Sequence, residues 1–181
     1  MSIGNTEQRW GLLAQAFHWL MFVLIVGAWF AIESREELPK GSPERDAWML
    51  VHKSLGVSVF FLVWFRIAAR FAQVSPVAVG AGLQQKLAGL VGLGLYALMI
   101  ALPLSGMLAS QFYGKPVNWF GLFELPVLVG ENKDLGEVVK EAHEAGFGVL
   151  LFLLAVHVGG ALHHHFILKD SVLKRMLPWG K

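Results

Sequence analysis

Cysteine is absent from this chain of 181 residues. Its absence excludes disulfide bonds, iron–sulfur clusters, thiolate ligands to a metal and the C-x-x-C-H attachment of covalent haem. Any haem that this protein carries is therefore held without a covalent bond.

Charged residues are also scarce, at 15% of the chain, whereas 55% of the residues are hydrophobic and the mean hydropathy is +0.55. The apolar residues come in long blocks, which is typical of an integral membrane protein. A chain of 181 residues has room for about four spans of ~20 residues and for no separate soluble domain. We therefore expect one domain over residues 1–181, with the lipid bilayer as a partner and no nucleic acid.

Four apolar blocks predict the spans, which we place at about 11–32, 48–71, 86–110 and 142–166. The fold class that they predict is all-α, an integral membrane four-helix bundle. Pro39 and Pro43 forbid helix continuation after the first block, so we expect a loop there.

The distribution of charge predicts the orientation. The N-terminus, the connection between spans two and three and the C-terminal tail together hold eight basic and two acidic residues. The two connections on the other side hold seven basic and eleven acidic residues. Cytoplasmic loops carry an excess of lysine and arginine, and the basic residues of the second connection and the tail lie close to span ends. We therefore expect both termini in the cytoplasm.

Four histidines lie inside the apolar blocks, namely His18, His52, His143 and His157. An ionisable side chain within a span is costly to insert, so by default it marks function. His143 and His157 are fourteen residues apart, which is about 1400° of helical rotation, or nearly four turns, and about 21 Å along the axis. They therefore share one helix face, too far apart for one metal and suitably placed for two sites stacked through a membrane.

The depth of each histidine in the membrane predicts which two histidines share a site. At 1.5 Å per residue, His18 lies about 10 Å and His157 about 14 Å from the cytoplasmic side. His52 and His143 both lie within the first turn or so of helices that begin on the outer side. We predict two bis-histidine sites, one inside and one outside, which together bind two non-covalent haem b groups. The alternative is that the histidines only form hydrogen bonds across the bundle.

Glycines near the four histidines favour a large flat ligand, since they leave room on the same helix face. Gly56, Gly146 and Gly160 follow a histidine by three or four residues, and Gly11 precedes His18 by seven. Small residues also let membrane helices pack closely, so the glycines alone do not decide.

Nearly the whole chain carries, in order, the runs AFHWLMF, HKSLGVSVFFLVWFRIAAR, ALPLSGM, NWFG, HEAGFGVLLFLLAVHVGGALHHHFILKD and LKRMLP. The most specific features are the H-x₁₃-H spacing and the terminal run HHFILKDSVLKRMLP. In these runs the chain resembles the prokaryotic cytochrome b561 family, four-helix dihaem proteins of the bacterial inner membrane. The resemblance implies that the family's haem ligands fall on His18, His52, His143 and His157.

The resemblance also implies an oxidoreductase that oxidises superoxide outside and reduces ubiquinone inside. A bis-histidine iron has no free position for superoxide, so the expected chemistry is outer-sphere. The net acidic outer loops would repel this anion. We expect Lys53, beside His52, to form a local positive patch with Lys115. The alternative is that these lysines only extend to the membrane surface.

Two further residues are assigned to the inner site. Arg66 lies fourteen residues after His52, hence on the same helix face, and we predict that it pairs with a haem propionate or contributes to quinone binding; interface anchoring is the alternative. His164 lies seven residues after His157 and is suited to deliver protons to reduced quinone. On the outer side, we expect the segment NWFGLFELP to form an amphipathic cap over the outer haem.

Three other functions stay open. The protein could be a haem-bearing anchor that passes electrons between a partner dehydrogenase and the quinone pool. It could be a haem-free carrier of metal ions or protons lined by histidines, or a purely structural membrane subunit. The sequence identifies neither a protein partner nor the physiological electron donor.

Overall fold

Four long α-helices make up most of the protein. The computed structural model describes residues 2–80 and 82–179. The helices are α1 Leu12–Glu36, α2 Pro43–Phe71, α3 Leu83–Phe112 and α4 Lys133–His163. A π-helical turn, His164–Leu168, continues α4, and a short 3₁₀ turn, Lys174–Met176, lies in the C-terminal tail.

All four helices are long and apolar enough to cross a membrane. Only 6% to 22% of the most apolar window of each helix is buried inside the protein. Helices that keep most of their apolar surface on the outside are suited to lipid rather than water. The predicted all-α membrane four-helix bundle is therefore confirmed.

Helices α2 and α4 begin five and nine residues before the predicted spans, because caps rather than hydrophobicity set their first residues. Pro43, expected in a loop, is the first residue of α2, and the Ser42 hydroxyl accepts a hydrogen bond from the Arg45 N–H at 3.2 Å. Proline is favoured at this position, where no N–H is needed. Similarly, Asn132 caps α4 by accepting a hydrogen bond from the Leu135 N–H at 3.1 Å. The acidic stretch before residue 142 is therefore helical.

The chain forms two compact units, and the first contains both termini. This terminal unit comprises Met1–Leu20, Val63–Leu98 and Gly148–Lys181. The Arg9 guanidinium donates to the carbonyl of Pro178 at 3.1 Å, and the Val77 N–H donates to the Glu7 carbonyl at 2.8 Å. Arg175 also donates to the Val77 carbonyl, at 2.7 Å. The N-terminus, the second connection and the C-terminal tail thus meet at one end of this unit, as an even number of spans requires.

The second unit, which we call the hairpin unit, comprises Met21–Leu62 and Met99–Phe147. Two short strands, β1 Asn118–Trp119 and β2 Phe123–Glu124, form an antiparallel hairpin in it. Its central hydrophobic cluster consists of Val57, Met107 and Val117, so the chain just before the hairpin packs against α2 and α3.

The hairpin is attached to α2 by two serines. The fully buried Ser54 hydroxyl accepts a hydrogen bond from the Phe120 N–H at 2.8 Å, and the Trp119 indole donates to the Ser58 hydroxyl at 3.1 Å. These serines lie about 200° and 240° around the helix from His52. The hairpin therefore docks on the side of α2 away from His52, and the amphipathic cap over the outer haem stays a prediction.

Candidate functional site

The hairpin unit brings His52 and His143 together. His52 comes from α2 and His143 from α4, and their ring centroids lie 6.3 Å apart. Each ring also lies beside a main-chain carbonyl of another helix. His52 Nδ1 lies 2.8 Å from the Ala28 oxygen, and His143 Nδ1 lies 2.9 Å from the Leu102 oxygen.

These carbonyl contacts fix the proton on each ring. A carbonyl oxygen can only accept, so Nδ1 must donate, and in a neutral imidazole the lone pair is then on Nε2. Metal-binding histidines typically use such a second hydrogen bond, which sets the tautomer and orients the ring. Both rings of this pair are therefore prepared to bind a metal through Nε2.

The position of His143 depends on a glycine and a serine of α3. A Cβ atom added at Gly106 would lie 3.1 Å from His143 Cε1, so a side chain there would press on the ring. The Ser105 hydroxyl donates to the Leu102 carbonyl at 2.9 Å and lies 3.1 Å from His143 Nδ1. Gly106 and Ser105 both belong to the run ALPLSGM, but sequence analysis gave them no part in the site.

The terminal unit brings His18 and His157 together. Their ring centroids lie 6.0 Å apart. The surroundings differ from those of the other pair, because His18 Nδ1 lies 3.3 Å from the Arg66 guanidinium. Arginine can only donate, so His18 Nδ1 accepts in this contact. Arg66 also donates to the Tyr96 hydroxyl at 3.1 Å and lies over the Tyr96 ring, 5.3 Å from its centroid.

The separation within each pair fits two axial ligands of one metal. With metal–nitrogen bonds of about 2 Å, and each nitrogen about 1.1 Å from its ring centre, two opposed imidazoles have centroids about 6 Å apart. The described residues contain no group of three or more His, Asp or Glu side chains that could hold a metal. A metal between two imidazoles then needs its other ligands from a cofactor, as porphyrin supplies them to haem iron.

The glycines near the histidines divide into two kinds. An added Cβ at Gly56 or Gly160 would meet no atom within 4 Å, so there is open space beside both. At Gly146 it would lie 2.9 Å from Leu102 Cδ2, and at Gly11 it would lie 2.3 Å from the Gly4 carbonyl carbon. Gly56 and Gly160 therefore have open space beside them, whereas Gly11 and Gly146 lie in close packing; room for a ligand beside Gly56 and Gly160 stays a prediction.

Lys53 is attached to the chain that leads into the hairpin. Its ammonium donates to the Ser110 hydroxyl at 2.7 Å and lies 3.4 Å from the Pro116 carbonyl. The Ser110 hydroxyl in turn donates to the Lys115 carbonyl at 3.0 Å. Lys53 and the Lys115 backbone thus share Ser110 as a partner, and the Lys115 side chain is exposed.

His164 lies at the start of the π-helical turn, between two polar side chains. Its Nδ1 lies 2.5 Å from the Asp170 carboxylate, and its Nε2 lies 3.0 Å from the Gln84 side-chain amide. Burial opposes ionisation of Asp170, but hydrogen bonds from His164 and from the Val172 N–H hold the pKa of this carboxyl below its usual range. Arg66 contacts His18 and Tyr96, whereas His164 contacts Asp170 and Gln84.

Comparison with known proteins gives matches over almost the full chain. The family model described as prokaryotic cytochrome b561 matches residues 9–179. Cytochrome b561 homolog 1 of Escherichia coli K12 is 33% identical over 163 residues, which cover 89% of this chain and 92% of that protein. The probable superoxide oxidase CybB of Yersinia pestis is 31% identical over 178 residues, covering 95% and 97%. Cytochrome b561 homolog 2 of Escherichia coli K12 is 31% identical over 188 residues, covering 98% and 95%.

The contact between Gly106 and His143 yields a prediction about stability. Replacing a helical glycine with alanine normally stabilises a helix by about 0.8–1 kcal/mol. We expect that gain for Gly148→Ala, where an added Cβ meets no atom within 4 Å. Gly106→Ala should instead destabilise the protein, since overpacking costs about 1–3 kcal/mol. Thermal unfolding of the two variants in detergent measures the difference, and equal midpoints would show that the His143 ring gives way freely.

Proposed function

Because the chain belongs to the prokaryotic cytochrome b561 family of membrane electron-transfer proteins, which implies a haem b cofactor, we propose that it is a dihaem superoxide:ubiquinone oxidoreductase. It oxidises superoxide on the periplasmic side of the bacterial inner membrane and reduces ubiquinone near the cytoplasmic side. Both termini lie in the cytoplasm, on the side of the basic tail.

The observation that carries this proposal is the pairing of four histidines at the spacing of axial ligands. His18 with His157, and His52 with His143, have ring centroids 6.0 and 6.3 Å apart. Each pair would hold one haem b. Haem b, when bound, supplies reversible one-electron transfer. With two histidines of the protein bound to its iron, haem b would exchange electrons by outer-sphere transfer, without binding oxygen or superoxide.

On the periplasmic side, Lys115 and Lys53 attract superoxide. The two outer connections and the adjoining span ends hold seven basic and eleven acidic residues, so the anion is repelled at long range. A local positive charge is needed to overcome this repulsion near the His52 pair. Lys115 is exposed and supplies that charge, while Lys53 is bound to Ser110 and positions the chain around Lys115. The name of the Yersinia pestis relative, probable superoxide oxidase, supports this donor.

On the cytoplasmic side, Arg66 and His164 serve the reduction of ubiquinone. Arg66 places a positive charge beside His18, where it pairs with a haem propionate or with a quinone oxygen. His164 delivers protons to the reduced quinone. Asp170 accepts a hydrogen bond from His164 Nδ1, which leaves Nε2 as the nitrogen that exchanges protons.

The pairing predicts which haem each histidine variant loses. His18→Ala and His157→Ala should remove the same haem, because these rings oppose each other, and His52→Ala and His143→Ala should remove the other. Pyridine-extracted haem should approach two per chain in the wild type and one in each variant, with two distinct difference spectra. One haem or none in folded, haem-replete protein, or matching spectra for the His18 and His143 variants, would contradict the assignment.

The superoxide reaction is tested by reversing one exposed charge. Lys115→Glu should slow reduction of the protein by superoxide, and the effect should shrink at high salt, because an exposed charge acts on the encounter rate. Lys174→Glu makes the same change in the terminal unit and is the matched control. Stopped-flow absorbance of the protein in vesicles, with ubiquinone as acceptor, measures both rates. Rapid reduction by a quinol or a co-purifying dehydrogenase, with none by superoxide, would favour the anchor function.

The proposed role of His164 in proton delivery is tested by replacing Asp170. The Asp170 carboxylate accepts the hydrogen bond that holds His164 Nδ1. Asp170→Asn should therefore slow ubiquinone reduction, while reduction by superoxide stays unchanged. Asp134→Asn, at the exposed start of α4, is the control. An unchanged rate of ubiquinone reduction in Asp170→Asn would remove His164 and Asp170 from the proton route.

A further inference from the structure

The hairpin presents apolar side chains that the rest of the described protein does not cover. Phe120 is 43% exposed, Leu122 is 72% exposed and Phe123 is 54% exposed. These three residues lie at the tip of the hairpin, whereas Asn118 and Glu124 pair with each other nearer its base. The exposed side chains at the tip are therefore apolar.

The hairpin is bonded to residues of α2 that lie well past the start of the second predicted span. That span begins near Trp48, and Ser54 and Ser58 follow it by six and ten residues. At 1.5 Å per residue, the two serines lie about 9 and 15 Å along the helix from that point. Because Ser54 binds the Phe120 N–H and Ser58 binds the Trp119 indole, the hairpin reaches the same depth as these serines.

Non-helical backbone is tolerated at membrane depth only where its polar groups find partners in the protein. The two strands pair with each other, and the Leu125 N–H donates to the Val117 carbonyl at 2.9 Å. The Leu122 N–H donates to the Trp119 carbonyl at 2.9 Å, which closes the turn. The backbone N–H groups of Phe120 and Leu122 at the tip thus have partners in the protein and do not depend on water.

The turn itself is held in a conformation that a phenylalanine rarely adopts. Phe120 has a φ of 49°, in the left-handed region, and Gly121 follows with a φ of 74°. Such a conformation is costly for a non-glycine residue and persists only where the surroundings fix it. Here the hydrogen bond to Ser54 fixes it, and the result is a turn with its apolar side chains directed outward.

We propose that residues 116–126 form a re-entrant hairpin whose apolar tip contacts lipid, in the leaflet that holds the N-terminal half of α2. Lipid is the occupant that fits, because the exposed tip continues the apolar outer surface of the spans, to which Phe61 of α2, 49% exposed, also belongs.

Spin labelling tests the depth of the tip directly, since a chain without cysteine accepts a single label without background changes. Leu122→Cys places a label at the tip, and Lys40→Cys places one in the exposed loop before α2 as a control. In full-length protein in phospholipid vesicles, oxygen concentrates in lipid and a nickel chelate in water. We expect oxygen to broaden the signal at residue 122 more than the nickel chelate does, and the opposite at residue 40.

Two results would overturn the proposal. Broadening at residue 122 mainly by the nickel chelate, as at residue 40, would mean that the hairpin lies in water. A label at residue 122 that neither reagent reaches would mean that another protein, or a second copy of this chain, covers the tip.

Discussion

A polar ring inside a membrane must find a hydrogen-bond partner in the protein, and the hairpin unit depends on how its two histidines do so. His52 donates to the Ala28 carbonyl and His143 to the Leu102 carbonyl, each on a neighbouring helix. A helical carbonyl already bonded within its helix has a second lone pair for this purpose. The helices must approach closely for a ring to reach it, and close approach is possible beside Gly106. The close packing of the helices and the orientation of the two histidine rings therefore depend on each other.

The two histidine pairs have similar spacing but opposite electrostatic surroundings. Carbonyl oxygens, which carry partial negative charge, face His52 and His143, whereas the guanidinium of Arg66 faces His18. Hydrogen bonding and nearby charge are the means by which a protein adjusts the potential of a bound redox centre. The two similarly spaced histidine pairs therefore lie in two different electrostatic environments.

The sequence predicted the spans and the histidine pairs because both follow from simple periodicities: apolar blocks of membrane length, and depth counted along a helix. The sequence did not predict features that depend on residues far apart in the chain. The hairpin at NWFGLFELP depends on Ser54 and Ser58, more than 60 residues away, and no local pattern indicates them. The partners of His52 and His143 are main-chain carbonyls, which any residue supplies. The early starts of α2 and α4 could have been predicted from the sequence, since Ser42 with Pro43 and Asn132 are ordinary capping residues.

Helix α2 carries His52 on one side, and Ser54 and Ser58 on another. The histidine is bonded to α1 through Ala28, while the serines are bonded to the hairpin. Attachments on two sides of one helix resist its rotation about its own axis, because any turn that relieves one set of hydrogen bonds stretches the other. The second helix is therefore torsionally stiff over the two turns next to His52, and the angle of that imidazole is fixed by the whole unit rather than by its own rotamer.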